Sequence, residues 1–278
     1  HSWAGDTEEA RQLAADNEEI LRRVDFIVES DDYIQIVGTP NSLPWPLLRN
    51  AYNVISVGTT AGDHETGTVA VDGVYTSGRV APDLVAPGLN KAEDVQSTSY
   101  ATPMVAAASA VLIDASISNP GYSNGSYNAP GTGDTIRHGD ASEVVKALLM
   151  AGADRTVSNR SGSFNDWGVL GHGTDNGLDD RYGAGQLNVF RSHRILAAGE
   201  QDSVEYGGSV VDPRGWDYAP FFGGLEFSNS VATYPFTPQA GDGDEFIASL
   251  VWNIDITAEL SGTDLTIGNN APATLYDL

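Results

Sequence analysis

Ser97-Thr98-Ser99-Tyr100-Ala101-Thr102-Pro103 runs without a breaker into Met104-Val105-Ala106-Ala107-Ala108-Ser109-Ala110-Val111-Leu112-Ile113. Proline suits the first turn of a helix, whose N–H groups have no intrahelical acceptor, and the small apolar residues behind it continue the helix. The pattern places Ser99 at a helix entrance, where unpaired N–H groups and the positive end of the helix dipole converge. A hydroxyl there is either a cap or a nucleophile with an oxyanion site beside it. Shortly upstream, Arg79-Val80-Ala81-Pro82-Asp83-Leu84-Val85-Ala86-Pro87-Gly88 reads as a short apolar strand closed by a Pro-Gly turn.

The chain before this stretch alternates helix and strand. Asp6-Thr7-Glu8-Glu9 offers an Asp cap with Glu three residues on, and Ala10, Leu13, Ala14, Ile20, Leu21 and Val24 follow at helical spacing. Tyr33 to Val37 and Asn53 to Val57 are strand-like, Leu84-Val85 is a third strand, and no hairpin signal separates them. This order predicts an α/β domain built on a parallel sheet. Beyond Ile113, Ser118 to Gly139 reads as an exposed insertion, and Asp140-Ala141-Ser142-Glu143 as the cap of a helix reaching Met150. Residues 152–181 read as a long irregular loop before Tyr182-Gly183-Ala184-Gly185-Gln186-Leu187-Asn188-Val189 and a last helix to Ala198.

From Asp202 the pattern changes to alternating apolar runs, Phe246 to Asp255, Leu265-Thr266-Ile267 and Thr274-Leu275-Tyr276, divided by Gly/Asn/Asp turns. Two domains follow: residues 1–200, α/β, and residues 201–278, an acidic β-sandwich-like domain expected to be incomplete.

The 278 residues carry 14 basic and 38 acidic side chains, a net charge of −24. Such a surface repels nucleic-acid phosphates and anionic lipid, so neither is an expected partner. The absence of cysteine removes disulfides, thiolate metal sites and Cys nucleophiles. No apolar run of membrane-spanning length is expected. The acidity is compatible with a structural Ca²⁺, but Gly241-Asp242-Gly243-Asp244-Glu245 lacks a Ca²⁺-loop spacing, and no residue is assigned to a metal. Chemistry at a serine nucleophile would require no cofactor, and the sequence leaves no trace of oligomeric state. The chain opens at His1 without a Met or signal segment and stops after a strand-like run, which reads as a fragment or a processed product.

Taken together, the strings from Arg79 to Gly88 and from Ser97 to Leu112 resemble the nucleophile region of the subtilisin-like serine peptidases, where G-T-S-x-A-[ST]-P follows an A-P-G turn. The resemblance implies that Ser99 is the nucleophile. It also implies that Asn41, at the end of a strand, donates its side-chain amide to the oxyanion; as a bare residue after Pro40 it would be a turn former. Ser2, Trp3, Ala4 and Gly5 look like the family's S-x-G-G substrate-binding segment, and Gly38 and Thr39 fall where the pocket floor is expected. Residues 182–188 resemble the motif that closes the peptidase domain. One departure is plain: Ser97 stands where the family usually has Gly, which reduces backbone freedom beside the nucleophile.

A serine nucleophile needs a base and a carboxylate to orient it, in the family's order Asp, His, Ser. Only His1 precedes Asn41, and Gly171-His172-Gly173-Thr174 imitates the histidine motif on the wrong side of the nucleophile. His64, His138 and His193 carry no motif. The expectation is a serine endopeptidase acting on protein or peptide, extracellular or at the cell surface, whose Asp and His lie upstream of this chain. Alone, the chain would hydrolyse nothing and would expose a sheet edge and an uncovered face. The alternative is a catalytically inactive subtilisin-like domain that serves as a binding or structural module.

Overall fold

The computed structural model describes residues 14–41, 48–158, 164–166, 174, 176–220, 222, 231–237, 246–257, 259–261, 264–266 and 273–274. In chain order the elements are α1 (Ala14–Asp31), β1 (Ile36–Gly38), β2 (Ile55–Thr59), β3 (Leu84–Ala86), β4 (Leu89–Asn90), β5 (Val95–Gln96) and α2 (Thr98–Ser118). There follow β6 (Ser126–Asn128), β7 (Thr135–Arg137), α3 (Ser142–Ala151), β8 (Thr156–Ser158), β9 (Phe164–Asp166) and α4 (Val189–Leu196). The chain ends with β10 (Asp255–Ile256), β11 (Glu259–Ser261), β12 (Asp264–Thr266) and β13 (Ala273–Thr274).

The first three strands form the expected parallel sheet in the order β1-β2-β3, with Ile36 beside Ile55 and Val57 beside Leu84. All of β2 and β3 is buried, as a parallel strand covered on both faces must be. On one face Ile55, Val57, Leu84 and Ala86 pack with Ala101, Val105 and Leu112 of α2, Val145 and Leu149 of α3 and Leu196 of α4. On the other, Leu21 of α1 packs with Val37, Val54 and Tyr75. A further lane is added beyond β3 by the closing motif: Val85 N–H donates to Gly185 O at 2.9 Å and Leu187 N–H donates to Val85 O at 2.8 Å. Gly183 is required there, because it has φ +59° and a Cβ would lie 2.2 Å from Asp83 O.

Several expectations need correction. Helix α2 starts at Thr98 with Ser97 as its N-cap, so Pro103 sits inside the helix and not in its first turn, and the helix runs five residues past Ile113 to Ser118. It is also, by length and composition, apolar enough to cross a membrane. A helix that is apolar all round belongs in a protein core as readily as in a bilayer, and α2 buries Ala101, Val105, Ala108 and Leu112 on the sheet while Met104, Val111 and Ile117 stay exposed. Asp140 does not cap α3; its carboxylate turns back to the Arg137 backbone and guanidinium. The cap comes instead from Asp32, whose Oδ1 accepts from Ser142 N–H at 2.5 Å. Asp32 reaches it from the left-handed position, φ 54°, just past α1, a conformation that Asp tolerates better than most residues.

The loops are more ordered than their composition suggested. The segment after Ser118 contains the β6–β7 hairpin, residues 152–181 contain the β8–β9 hairpin, and the β4–β5 hairpin stands between Gly88 and Ser97. Past residue 201 the described residues form two short antiparallel ladders, β10–β13 and β11–β12. Of the expected long strand 246–255 only Asp255, the first residue of β10, is ladder-paired. That strand is laid against the first part of the chain. Asn53 acts as a backbone mimic for it, donating from Nδ2 to Ile254 O at 3.0 Å and accepting from Ile254 N–H at 2.8 Å. The Gly241–Glu245 turn lies outside the described residues.

Candidate active site

In an open parallel sheet, loops at the carboxyl ends of the strands meet helix N-termini in a crevice. Here β1 ends at Gly38 and hands the chain to Thr39, Pro40 and Asn41, directly beside the start of α2. Two close approaches set this junction. A Cβ on Gly38 would lie 2.7 Å from Thr102 Oγ1, so glycine lets the strand touch the helix. Thr98 Oγ1 donates to Thr39 O at 2.6 Å, and Thr39 N–H donates to Val57 O at 2.9 Å. Thr39 is fully buried with its hydroxyl directed to Val57 O, so it does not line a surface. Its part is to fix the strand end that presents Asn41.

Asn41 and Ser99 are both exposed, and they meet at a third residue. Asn41 Nδ2 donates to Ser97 Oγ at 3.0 Å, and Ser99 N–H donates to the same oxygen at 3.2 Å. The Asn41 amide cannot flip without loss, because its Oδ1 accepts from Thr98 N–H at 2.9 Å. An amide from the strand end and a backbone N–H from the helix therefore converge on one point, beside the Ser99 residue that the sequence singled out. Two aligned donors at the positive end of a helix are suited to a developing negative charge.

The backbone behind Ser99 is equally constrained. Ser97 N–H donates to Gly88 O at 2.9 Å, and Tyr100 N–H donates to Ser97 O at 3.1 Å. Tyr100 ties the β4–β5 hairpin to the helix, accepting from Asn90 Nδ2 and donating to Glu93 Oε2. Neither the hairpin nor the role of Ser97 as common acceptor was evident from sequence. The one available signal was the hydroxyl residue at a position where Gly is usual.

Among the described residues, no imidazole is hydrogen-bonded to Ser99. His64 lies in the loop after β2 but its side chain is buried and structural: its Nδ1 accepts from Thr59 N–H at 3.1 Å, and Nε2 faces Arg181 O at 2.8 Å. Burial pushes its pKa down to about 4, against the hydrogen bond to Arg181 O, so it stays neutral. His138 pairs with Glu200 through Nδ1 at 2.6 Å, and His193 lies on α4. His1, Ser2, Trp3, Ala4, Gly5 and the 171–173 part of the histidine-like string lie outside the described residues. No group of three His, Cys, Asp or Glu side chains suited to a metal occurs among the described residues.

A model of the subtilase family matches residues 14–185, well over half of the sequence, and the chain belongs to that family. Among solved structures, the patellamide maturation protease PatA aligns at 15% identity with a TM-score of 0.39. The alignment covers 71% of this chain and 60% of that one. No curated protein matches the chain.

Proposed function

We propose that this chain is the nucleophile-bearing part of a serine endopeptidase that cleaves protein or peptide substrates. Ser99 Oγ attacks the scissile carbonyl, and the tetrahedral oxyanion is received by Asn41 Nδ2 and the Ser99 N–H. The observation that supports this is the convergence of those two donors on a single oxygen. The hydroxyl proton passes to a histidine oriented by an aspartate, both expected upstream of residue 1, and the acyl-enzyme is then released by water. Extracellular or surface location follows the habit of the family. Residues 1–200 form the peptidase part in this reading and 201–278 an acidic β-rich accessory part; Ser2 to Gly5 and Gly38 contribute to substrate binding.

A second reading, an inactive binding module, draws on the fact that His64 and His138 are committed elsewhere. A fluorophosphonate probe separates the two. The complete protein should form a Ser99 adduct that is lost entirely in Ser99→Ala. No adduct in folded wild-type protein rejects the enzyme and favours the module.

A further inference from the structure

The position that a substrate oxygen would have to occupy is already filled. Both donors of the proposed oxyanion site end on Ser97 Oγ, at 3.0 Å from Asn41 Nδ2 and 3.2 Å from the Ser99 nitrogen. A hydroxyl oxygen has two lone pairs, and these two N–H groups take both. A carbonyl oxygen that requires the same two hydrogens cannot coexist with it. We propose that the Ser97 hydroxyl is a built-in occupant of the oxyanion site, and that it must rotate away before a substrate carbonyl can engage Ser99. The inference rests on the serine peptidase reading of the same site.

The movement has to be in the side chain. The Ser97 backbone is held on both sides, by its N–H on Gly88 O and by its carbonyl under Tyr100 N–H. Gly88 packs so closely that a Cβ on it would lie 2.7 Å from Ser97 O. The residue is extended, φ −158° and ψ 143°, and only half-buried, and serine has other staggered χ1 positions into which its hydroxyl can turn. Asn41 is not the mobile partner, because its Oδ1 is anchored on Thr98 N–H. Turning the hydroxyl out breaks two neutral hydrogen bonds, which the incoming oxygen then restores. The resting contact thus acts as a competitor worth about one or two such bonds, a factor of about 5–30 in rate.

The test is the second-order rate constant for fluorophosphonate labelling of Ser99 in the complete protein, where the Ser99 Oγ–P bond forms as fluoride leaves and the base takes the proton. Ser97→Gly and Ser97→Ala both remove the hydroxyl. Glycine still serves as an N-cap at little cost, which guards against a folding defect. Both variants should label about 5- to 30-fold faster than wild type, while Ser97→Thr, which keeps a hydroxyl, shows no such gain. Equal or slower labelling in both hydroxyl-free variants, with melting curves showing folded protein, overturns the inference and leaves the peptidase reading intact. Acceleration by Gly alone assigns the effect to backbone freedom and also overturns it. No adduct in any variant overturns the peptidase reading itself.

Discussion

Helices α2 and α3 share one face of the sheet, yet their N-termini are finished with opposite chemistry. The first N–H of α3 is closed by a carboxylate, Asp32, which also accepts from the Tyr127 hydroxyl. The first turn of α2 is closed by a neutral hydroxyl and an amide, both able to reach solvent. Closure by charge is costly in its setting: Asp32 raises the pKa of both Glu29 and Glu143, and Asp140 raises that of Asp32. Burial first, then the neighbouring carboxylates, push Glu29 and Glu143 up to about 7; burial pushes Asp32 to about 6 against the hydrogen bonds from Ser142. A half-buried carboxyl anchored by Ser142 and Tyr127 finishes α3. A neutral cap on a rotatable side chain leaves α2 able to exchange one acceptor for another.

The sharpest way to break this contrast is at Asn41. In the complete protein, Asn41→Ala should lower turnover by about 10²–10³, the loss known for removing an oxyanion donor from a subtilisin, with little change in melting temperature. A loss under threefold in steady-state peptide cleavage would mean that the two donors do not serve chemistry. At the other helix, Asp32→Ala should destabilise by about 2 kcal/mol, since it removes a cap and strands Ser142 N–H and the Tyr127 hydroxyl. Urea unfolding that gives the wild-type midpoint would show that Asp32 does not hold α3.

The smallest effect is the pH dependence of the acidic group. A carboxyl whose folded pKa exceeds its unfolded value near 4 binds its proton more tightly in the native state. Its contribution is complete below about pH 4 and is lost as pH rises through 6 to 7. Melting temperature should therefore fall between pH 4.5 and 8, and the slope should flatten in Glu29→Gln/Glu143→Gln. An unchanged slope would place the pH sensitivity in the overall charge of −24 instead.

A good part of the fold was legible because it is written in local terms. The strand-like runs at 33–37, 53–57 and 84–85 lack hairpin turns, and the parallel strands β1, β2 and β3 overlap them. The breaker-free run after Ser99 forms a helix that buries one face on the sheet. The capping of α3 was misread, because Asp140 is at the right sequence distance but spends its carboxylate on Arg137, while Asp32, 110 residues away in sequence, does the work. Pro103 was assigned to a first turn that begins five residues earlier, since a proline late in the opening turns removes one hydrogen bond without stopping a helix whose packing favours it. Hairpins in the Gly- and Asn-rich stretches were missed because their strands are two or three residues long, too short for alternation to register.

The sequence by itself determined the order of the elements, the subtilisin-like string around Ser99, the candidate amide at Asn41 and the unusual hydroxyl at position 97. These depend on residue type and spacing along the chain. Only the tertiary structure decided that Asn41 and Ser99 N–H point at the same atom, that this atom belongs to Ser97, and that Thr39 and His64 are sealed inside. Those facts depend on the few ångströms between a strand end and a helix start separated by 56 positions in the chain, a separation that packing sets and local pattern does not.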